Sequence, residues 1–203
     1  MIIFILIVIN DLGKRIKPTQ RYRGPMQNLR FSTTFFVKII LGMFITVLLF
    51  GQANAASEPR LLGEYGKWNA FSFTDDQGKK VCFMSSTPSE AKGNYTKRGE
   101  IFAFITHWPS KGYRNMINID TGYPYKVNSE VDVKIGSQDF TLATEGEKAW
   151  AYNQATDNKI TEAIRQGSTM VVKGYSTRGT LTTDTYSLSG SADAYDAITR
   201  ECY

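Results

Sequence analysis

Val131-Asp132-Val133-Lys134-Ile135 alternates apolar and charged residues with period two, the pattern of a strand with one buried and one wet face. Gly136-Ser137 fits a two-residue turn, and Phe140 and Leu142 resume the alternation over Gln138 to Ala143, which predicts a hairpin. A second hairpin is expected where Trp68 to Phe73 and Lys80 to Ser85 flank Asp75-Asp76-Gln77-Gly78, because Asp and Gly favour turns. Ile101 to Thr106 is a continuous apolar run suited to a central strand, and Tyr113, Asn115, Ile117 and Ile119 mark one face of the next. Further strands read at Lys148 to Tyr152, Thr169 to Tyr175 and Leu181 to Leu188.

Two segments change period. In Asp157 to Gln166, Ile160, Ala163 and Ile164 fall at helical spacing; Asp157 is placed to cap the first turn and Gly167 to take a left-handed exit. Ser191 is placed to cap a second short helix whose Ala194, Tyr195 and Ile198 face inward and which carries Cys202 to the core. About eight strands without alternating helices predict an all-β fold, a single antiparallel sandwich with one or two short helices, a barrel being the alternative closure. Ser85 to Gly99, rich in Ser, Pro, Lys and Gly, reads as a mobile stretch.

Charge changes the picture only once it is placed along the chain. The formal net charge is +5, but residues 1–55 hold seven Lys and Arg and a single acid, Asp11. Residues 56–203 are left with 17 basic and 18 acidic side chains of the 24 and 19 in the whole chain. A near-neutral body argues against nucleic acid, whose binding needs a clustered positive face.

The basic leader has a different reading. From Met26 onward, Arg30 and Lys38 form a positive region, Ile39 to Phe50 an apolar run, and Ala53-Asn54-Ala55 the small residues a signal peptidase reads. Cleavage is expected between Ala55 and Ala56. The apolar run falls short of the ~20 residues a membrane span needs, so no stable span is expected after cleavage. Residues 1–25 fit no part of a signal and read as a non-structural extension, with Met26 as the true start. The domain plan is therefore 1–25 extension, 26–55 signal peptide and 56–203 the β domain.

Export sets the reading of the two cysteines. In an oxidising compartment Cys82 and Cys202 are most simply a disulfide, and no Cys-x-x-Cys spacing favours a redox pair. Signs of catalysis are few. The single histidine, His107, has no metal-ligand partners at suitable spacing and reads as a strand-end or surface residue, so no metal is expected. Gly174 to Gly179 has one residue too many for a Gly-x-Ser-x-Gly elbow, and Ser89-Glu90-Ala91-Lys92 lacks the partner motifs of the Ser-x-x-Lys enzymes. No cofactor is implied.

The densest stretch runs from Gly167 to Leu188 and contains Ser176-Thr177-Arg178-Gly179-Thr180 followed by Thr182-Thr183-Asp184-Thr185-Tyr186-Ser187-Leu188. It resembles the invasion-associated locus B family of exported α-proteobacterial proteins, whose signature is a Ser-x-Arg-Gly-Thr turn and a Thr-x-Asp-x-Tyr-Ser-Leu strand. The likeness continues in Trp68, Cys82, Gly122-Tyr123-Pro124-Tyr125, Ala149-Trp150-Ala151, Arg165 to Gly167, and Cys202. Ile164 and Ser191 depart from the pattern where a Met and an aromatic are usual. The resemblance implies an immunoglobulin-like β-sandwich, residence in the periplasm, at the outer membrane surface or outside the cell, and a part in host-cell invasion in pathogenic members.

Each motif has a structural and a functional reading. Gly179 permits a tight turn, and Arg178 is placed to pair with Asp184 or to bond carbonyls across it, holding the two last strands in register. Alternatively Arg178, Thr180 and Tyr186 form a patch that grips a protein or glycan. Tyr123 and Tyr125 around Pro124 either show aromatic faces to a ligand or lid the core. Trp68 and Trp150 are expected in the core. The reading as a whole is a non-catalytic envelope interaction protein with a host-surface or bacterial envelope partner. A periplasmic assembly or stress factor, or an envelope hydrolase with an unrecognised site, are the alternatives.

Overall fold

The computed structural model describes residues 56–203, and the leader readings lie outside them. Eleven strands and two helices follow in order: β1 (Arg60–Tyr65), β2 (Trp68–Thr74), β3 (Lys80–Ser86), β4 (Glu90–Gly93), β5 (Phe102–Trp108), β6 (Tyr113–Asp120), β7 (Glu130–Ile135), β8 (Gln138–Glu145), β9 (Lys148–Trp150), α1 (Gln154–Gln166), β10 (Thr169–Tyr175), β11 (Leu181–Ser187) and α2 (Ser191–Cys202). The fold is all-β and antiparallel, as expected, with two short helices and a Cys82–Cys202 disulfide.

All eleven strands belong to one sheet, ordered β1-β2-β3-β5-β6-β9-β8-β7-β10-β11-β4. A twisted sheet of this width curls rather than staying flat. Here β2, next to one edge, meets β11, next to the other: the Trp68 indole Nε1–H donates to the Ser187 carbonyl at 3.1 Å, and the Lys67 amide to the Ser189 carbonyl at 3.0 Å. The approach is close enough to require Gly190, whose φ is 86° and whose added Cβ would lie 2.0 Å from the Tyr65 carbonyl oxygen.

Alternation fixes which face turns inward. Trp68 and Ala70, Cys82 and Met84, Ala103 and Ile105, Ile117 and Ile119, and Val131, Val133 and Ile135 share one core with Met170, Val172 and Tyr186. Ile160 and Ile164 of α1 and Ala194, Tyr195 and Ile198 of α2 join the same core, so both helices pack on the inner face.

The structure corrects several expectations. α1 begins at Gln154, three residues early, because Asn153 supplies the cap, its Oδ1 accepting the Thr156 amide at 2.9 Å. Asp157 instead accepts the Ile117 amide at 2.8 Å, one residue beyond the last β6–β9 pair, Asn118–Trp150. Gly167 leaves α1 extended (φ −84°, ψ 173°), not left-handed. Ser191 caps nothing; its hydroxyl donates to the Ile164 carbonyl at 2.8 Å and ties α2 to α1, while Gly190 holds the cap position. The stretch from Ser85 to Gly99, expected to be mobile, contains edge strand β4, paired to β11 from Glu90–Thr185 to Gly93–Thr182. Its four residues are all exposed, which removes the hydrophobic alternation a sequence reading relies on.

Candidate interaction site

The Gly122–Lys126 segment and the β10–β11 turn, separate motifs in the sequence, lie side by side. Tyr125 and Ser176 form an isolated antiparallel bridge, the Thr177 amide donates to the Pro124 carbonyl, and the Lys126 amide to the Tyr175 carbonyl. Gly179 (φ 81°) closes the turn, with its amide on the Ser176 carbonyl at 2.8 Å. Tyr175 and Leu181 pair across its base with nearly half their surface exposed, and Val127 is 78% exposed beside them.

Beneath this tip lies a buried ion pair that the sequence reading did not assemble. Arg98 donates from both terminal nitrogens to Asp184, at 2.7 and 2.6 Å, with side-chain exposures of 4% and 1%. Its Nε–H reaches the Thr121 carbonyl at 2.7 Å, and its guanidinium lies against the rings of Tyr123 (4.9 Å) and Tyr95 (5.5 Å). Burial opposes the charge on Arg98, but hydrogen bonds and Coulomb attraction from Asp184 outweigh it, and its pKa is raised. Tyr123 continues the network, its hydroxyl 2.6 Å from Thr182 Oγ1. The planar fork of an arginine is the group that satisfies a carboxylate and a carbonyl at once in so dry a place.

The residues singled out from the sequence therefore separate. Arg178 does not pair with Asp184; Arg98 does, and Arg178 is exposed on the turn with Thr180 half-buried next to it. Tyr186 is fully buried and Tyr125 is 4% exposed, so neither offers a face to a partner. The Tyr186 hydroxyl is buried without a hydrogen-bond partner among the described residues, and burial raises its pKa well above the usual phenol value. Tyr125 packs edge-on to Tyr123 at 5.5 Å and lids this end of the core. Trp68 is in the core, whereas Trp150 is half-buried on the other face of the sheet, opposite Asn118.

A family model described as "Invasion associated locus B (IalB) protein" matches residues 68–199. The chain belongs to the invasion associated locus B family. No curated protein and no solved structure matches the chain. The span of the invasion associated locus B match contains the whole tip, the Arg98–Asp184 pair and Cys82, and stops short of Cys202. Among the described residues no helix is long and apolar enough to cross a membrane, and no group of three or more His, Cys, Asp or Glu is placed to hold a metal.

A second buried polar cluster was also missed. His107 sits at the end of β5, as expected, but is fully buried rather than at the surface. Its Nδ1 accepts the Asn115 amide at 3.2 Å, so the ring proton is on Nε2, which donates to Thr199 Oγ1 at 3.1 Å. Asn115, with φ 62°, donates from Nδ2 to Asn158 and accepts from the Tyr195 hydroxyl, joining β6, α1 and α2. Burial, and then the charge of Arg114, hold the His107 pKa at about 4, below the ordinary 6.5. Burial pushes Asp157 up to about 6 against the pull of the Ile117 amide.

These shifts have opposite signs in stability. A depressed histidine contributes stability that is present above about pH 6.5 and lost as pH falls through about 4; a raised carboxyl contributes stability that is complete below its unfolded value and lost as pH rises through about 6. Wild-type stability is thus expected to change little between pH 6.5 and 4 through these two groups. His107→Gln removes one of them, and its stability relative to wild type should climb as pH falls across that window, by at most about 1.4 kcal/mol per pH unit. Urea midpoints of both proteins from pH 7 to pH 4 check this; a difference that stays constant with pH refutes the assignment.

Proposed function

We propose that the chain is an exported, non-catalytic interaction protein of the cell envelope. Its partner is a host-surface or bacterial envelope protein or glycan, gripped at the tip built from Gly122–Lys126 and Tyr175–Leu181. The observation that carries the reading is the contrast between the two levels of this tip. Above, Tyr175, Arg178, Leu181 and Val127 stand in water; below, a buried bidentate ion pair fixes the segments that present them. A rigid support under exposed aromatic, aliphatic and arginine side chains lowers the entropy lost on binding. Membership of a family that is not a known enzyme family, together with the disulfide, is in keeping with export and with binding rather than turnover. In pathogenic members the corresponding role is host-cell invasion or colonisation.

Two measurements test this. Native protein from fractionated cells is expected to begin at Ala56 and to take up two alkyl groups only after reduction; a cytosolic species with its leader and free thiols overturns export. Tyr175→Ser with Arg178→Ala is expected to leave the thermal midpoint unchanged and to weaken retention on cultured animal cells or outer-membrane vesicles at least tenfold. Equal retention of the variant and wild type on both surfaces overturns the tip as the site.

A further inference from the structure

The turn between β5 and β6 carries cations that rest on rings instead of carboxylates. Pro109–Lys111 forms a single 3-10 turn closed by Gly112 (φ 73°), whose amide donates to the Pro109 carbonyl at 3.0 Å. Lys111 Nζ lies 3.6 Å from the centre of the Trp108 ring, and the Arg114 guanidinium 4.7 Å from that of Tyr203. Each ring is itself held. The Trp108 indole Nε1–H donates to Asp75 Oδ2 at 3.0 Å, while Oδ1 accepts the Gln77 and Lys79 amides at 3.0 and 2.7 Å. Tyr203 packs edge-on to His107 at 5.5 Å, and its hydroxyl donates to the carbonyl of Tyr113, the residue paired with Trp108, at 3.5 Å. These contacts join Lys79, Trp108, Lys111, Tyr113, Arg114 and Tyr203 into one strip, at the opposite end of β6 from the tip.

We propose that this strip binds a sulfated polysaccharide, the densely charged kind that animal cells carry on their surface. Lys79, Lys111 and Arg114 are exposed, and among the described residues none of the three is paired with a carboxylate. Of the acidic side chains in the β2–β3 turn and the last turn of α2, which flank the strip, Asp75 is 1% exposed and occupied by its hydrogen bonds. Glu201 is paired with Arg60 and Lys80, which leaves Asp76 alone in water. A ring under a cation narrows where its charge stands, so less side-chain freedom is lost on binding. The body around the strip, with 17 basic and 18 acidic residues over 56–203, has no general attraction for anions. So few cations bind measurably only to a polymer charged densely enough to hold condensed counterions, which it releases. A bilayer does not fit, because no exposed aliphatic side chain stands in the strip to enter it. Nucleic acid has the charge density but stacks its bases on open ring faces, whereas Trp108 is 6% exposed beneath Lys111 and Tyr203 lies against Arg114. The proposal does not depend on the tip or its partner.

Calorimetric titration of the protein as the cell produces it with a heparin octasaccharide, in ~50 mM salt, is expected to give a micromolar dissociation constant that weakens steeply as salt is added. Lys111→Gln with Arg114→Gln is expected to weaken binding about tenfold and to make the salt dependence shallower. Lys134→Gln with Lys173→Gln removes the same charge from the outward sides of β7 and β10 and is expected to leave binding unchanged. So is Tyr175→Ser with Arg178→Ala, which separates this strip from the tip. Thermal midpoints establish that each variant is folded, and Lys111→Gln alone decides if the double variant is not. No binding at ~50 mM salt, an equal loss in the Lys134 and Lys173 variant, or a single-stranded DNA octamer held as tightly through Lys111 and Arg114 overturns the proposal.

Discussion

Arg98→Met is expected to cost about 3–5 kcal/mol of folding stability, the range for leaving a buried charge without its partner. Asp184 is 1% exposed and receives both terminal nitrogens of Arg98. A methionine keeps most of the aliphatic stem, so the loss falls on the charge and its hydrogen bonds rather than on packed volume. Adding Asp184→Leu to Arg98→Met should restore a large part of the loss, because the pair's desolvation is then never incurred. Denaturant titration of the two single variants and the double variant closes the cycle. A loss under about 1 kcal/mol for Arg98→Met, the value of a surface pair, refutes burial of the ion pair in solution. A local consequence should accompany the global one: Arg98 also holds the Thr121 carbonyl, so amide exchange in Thr121–Tyr125 should quicken more than in β7 or β8.

The ion pair also illustrates what the sequence conceals. Asp184 was legible as a special position, since it is the one charged residue in a strand otherwise built of Leu, Thr, Tyr and Ser. Its partner was not, because Arg178 stands six residues away along the turn while Arg98 stands 86 residues away in a Ser- and Lys-rich stretch. Local spacing favours the near arginine, and only the pairing of β4 with β11 brings the far one over the strand. β7 was readable because one of its sides is apolar and the other wet, and β5 because Ile101 to Ile105 is an unbroken apolar run. β4 was unreadable because an edge strand whose four residues are all exposed has no buried side. His107 escaped for the opposite reason. A lone histidine carries no pattern, and its burial depends on α2 folding back over β5, a contact fixed by Tyr195 and Thr199 at the far end of the chain. Tyr186 alternates with Asp184 and Thr182, which puts all three on the inner face and rules Tyr186 out of the alternative reading as part of an exposed grip.

Removing the disulfide is expected to be the other large effect. Cys82 and Cys202 are 120 residues apart, and the chain-entropy model gives about 5 kcal/mol as the most that such a crosslink contributes. Against the 5–15 kcal/mol typical of a domain, that is enough to bring the protein near its threshold. The native state, however, has further holds on α2. Ala194, Tyr195 and Ile198 are in the core, Thr199 bonds to His107, Ser191 bonds to the Ile164 carbonyl, and Glu201 pairs with Arg60 and Lys80. If the crosslink acts through the unfolded chain, Cys82→Ala with Cys202→Ala lowers the urea midpoint strongly while helix content and the inner-face packing of α2 in the folded state stay as they are. If it acts by holding α2 down, the same variant loses near-ultraviolet signal from Tyr195 and Tyr203 before the sheet unfolds, and the transition splits in two. The number of hydrogen bonds and buried side chains that α2 contributes without the crosslink favours the first outcome, a single transition at lower urea.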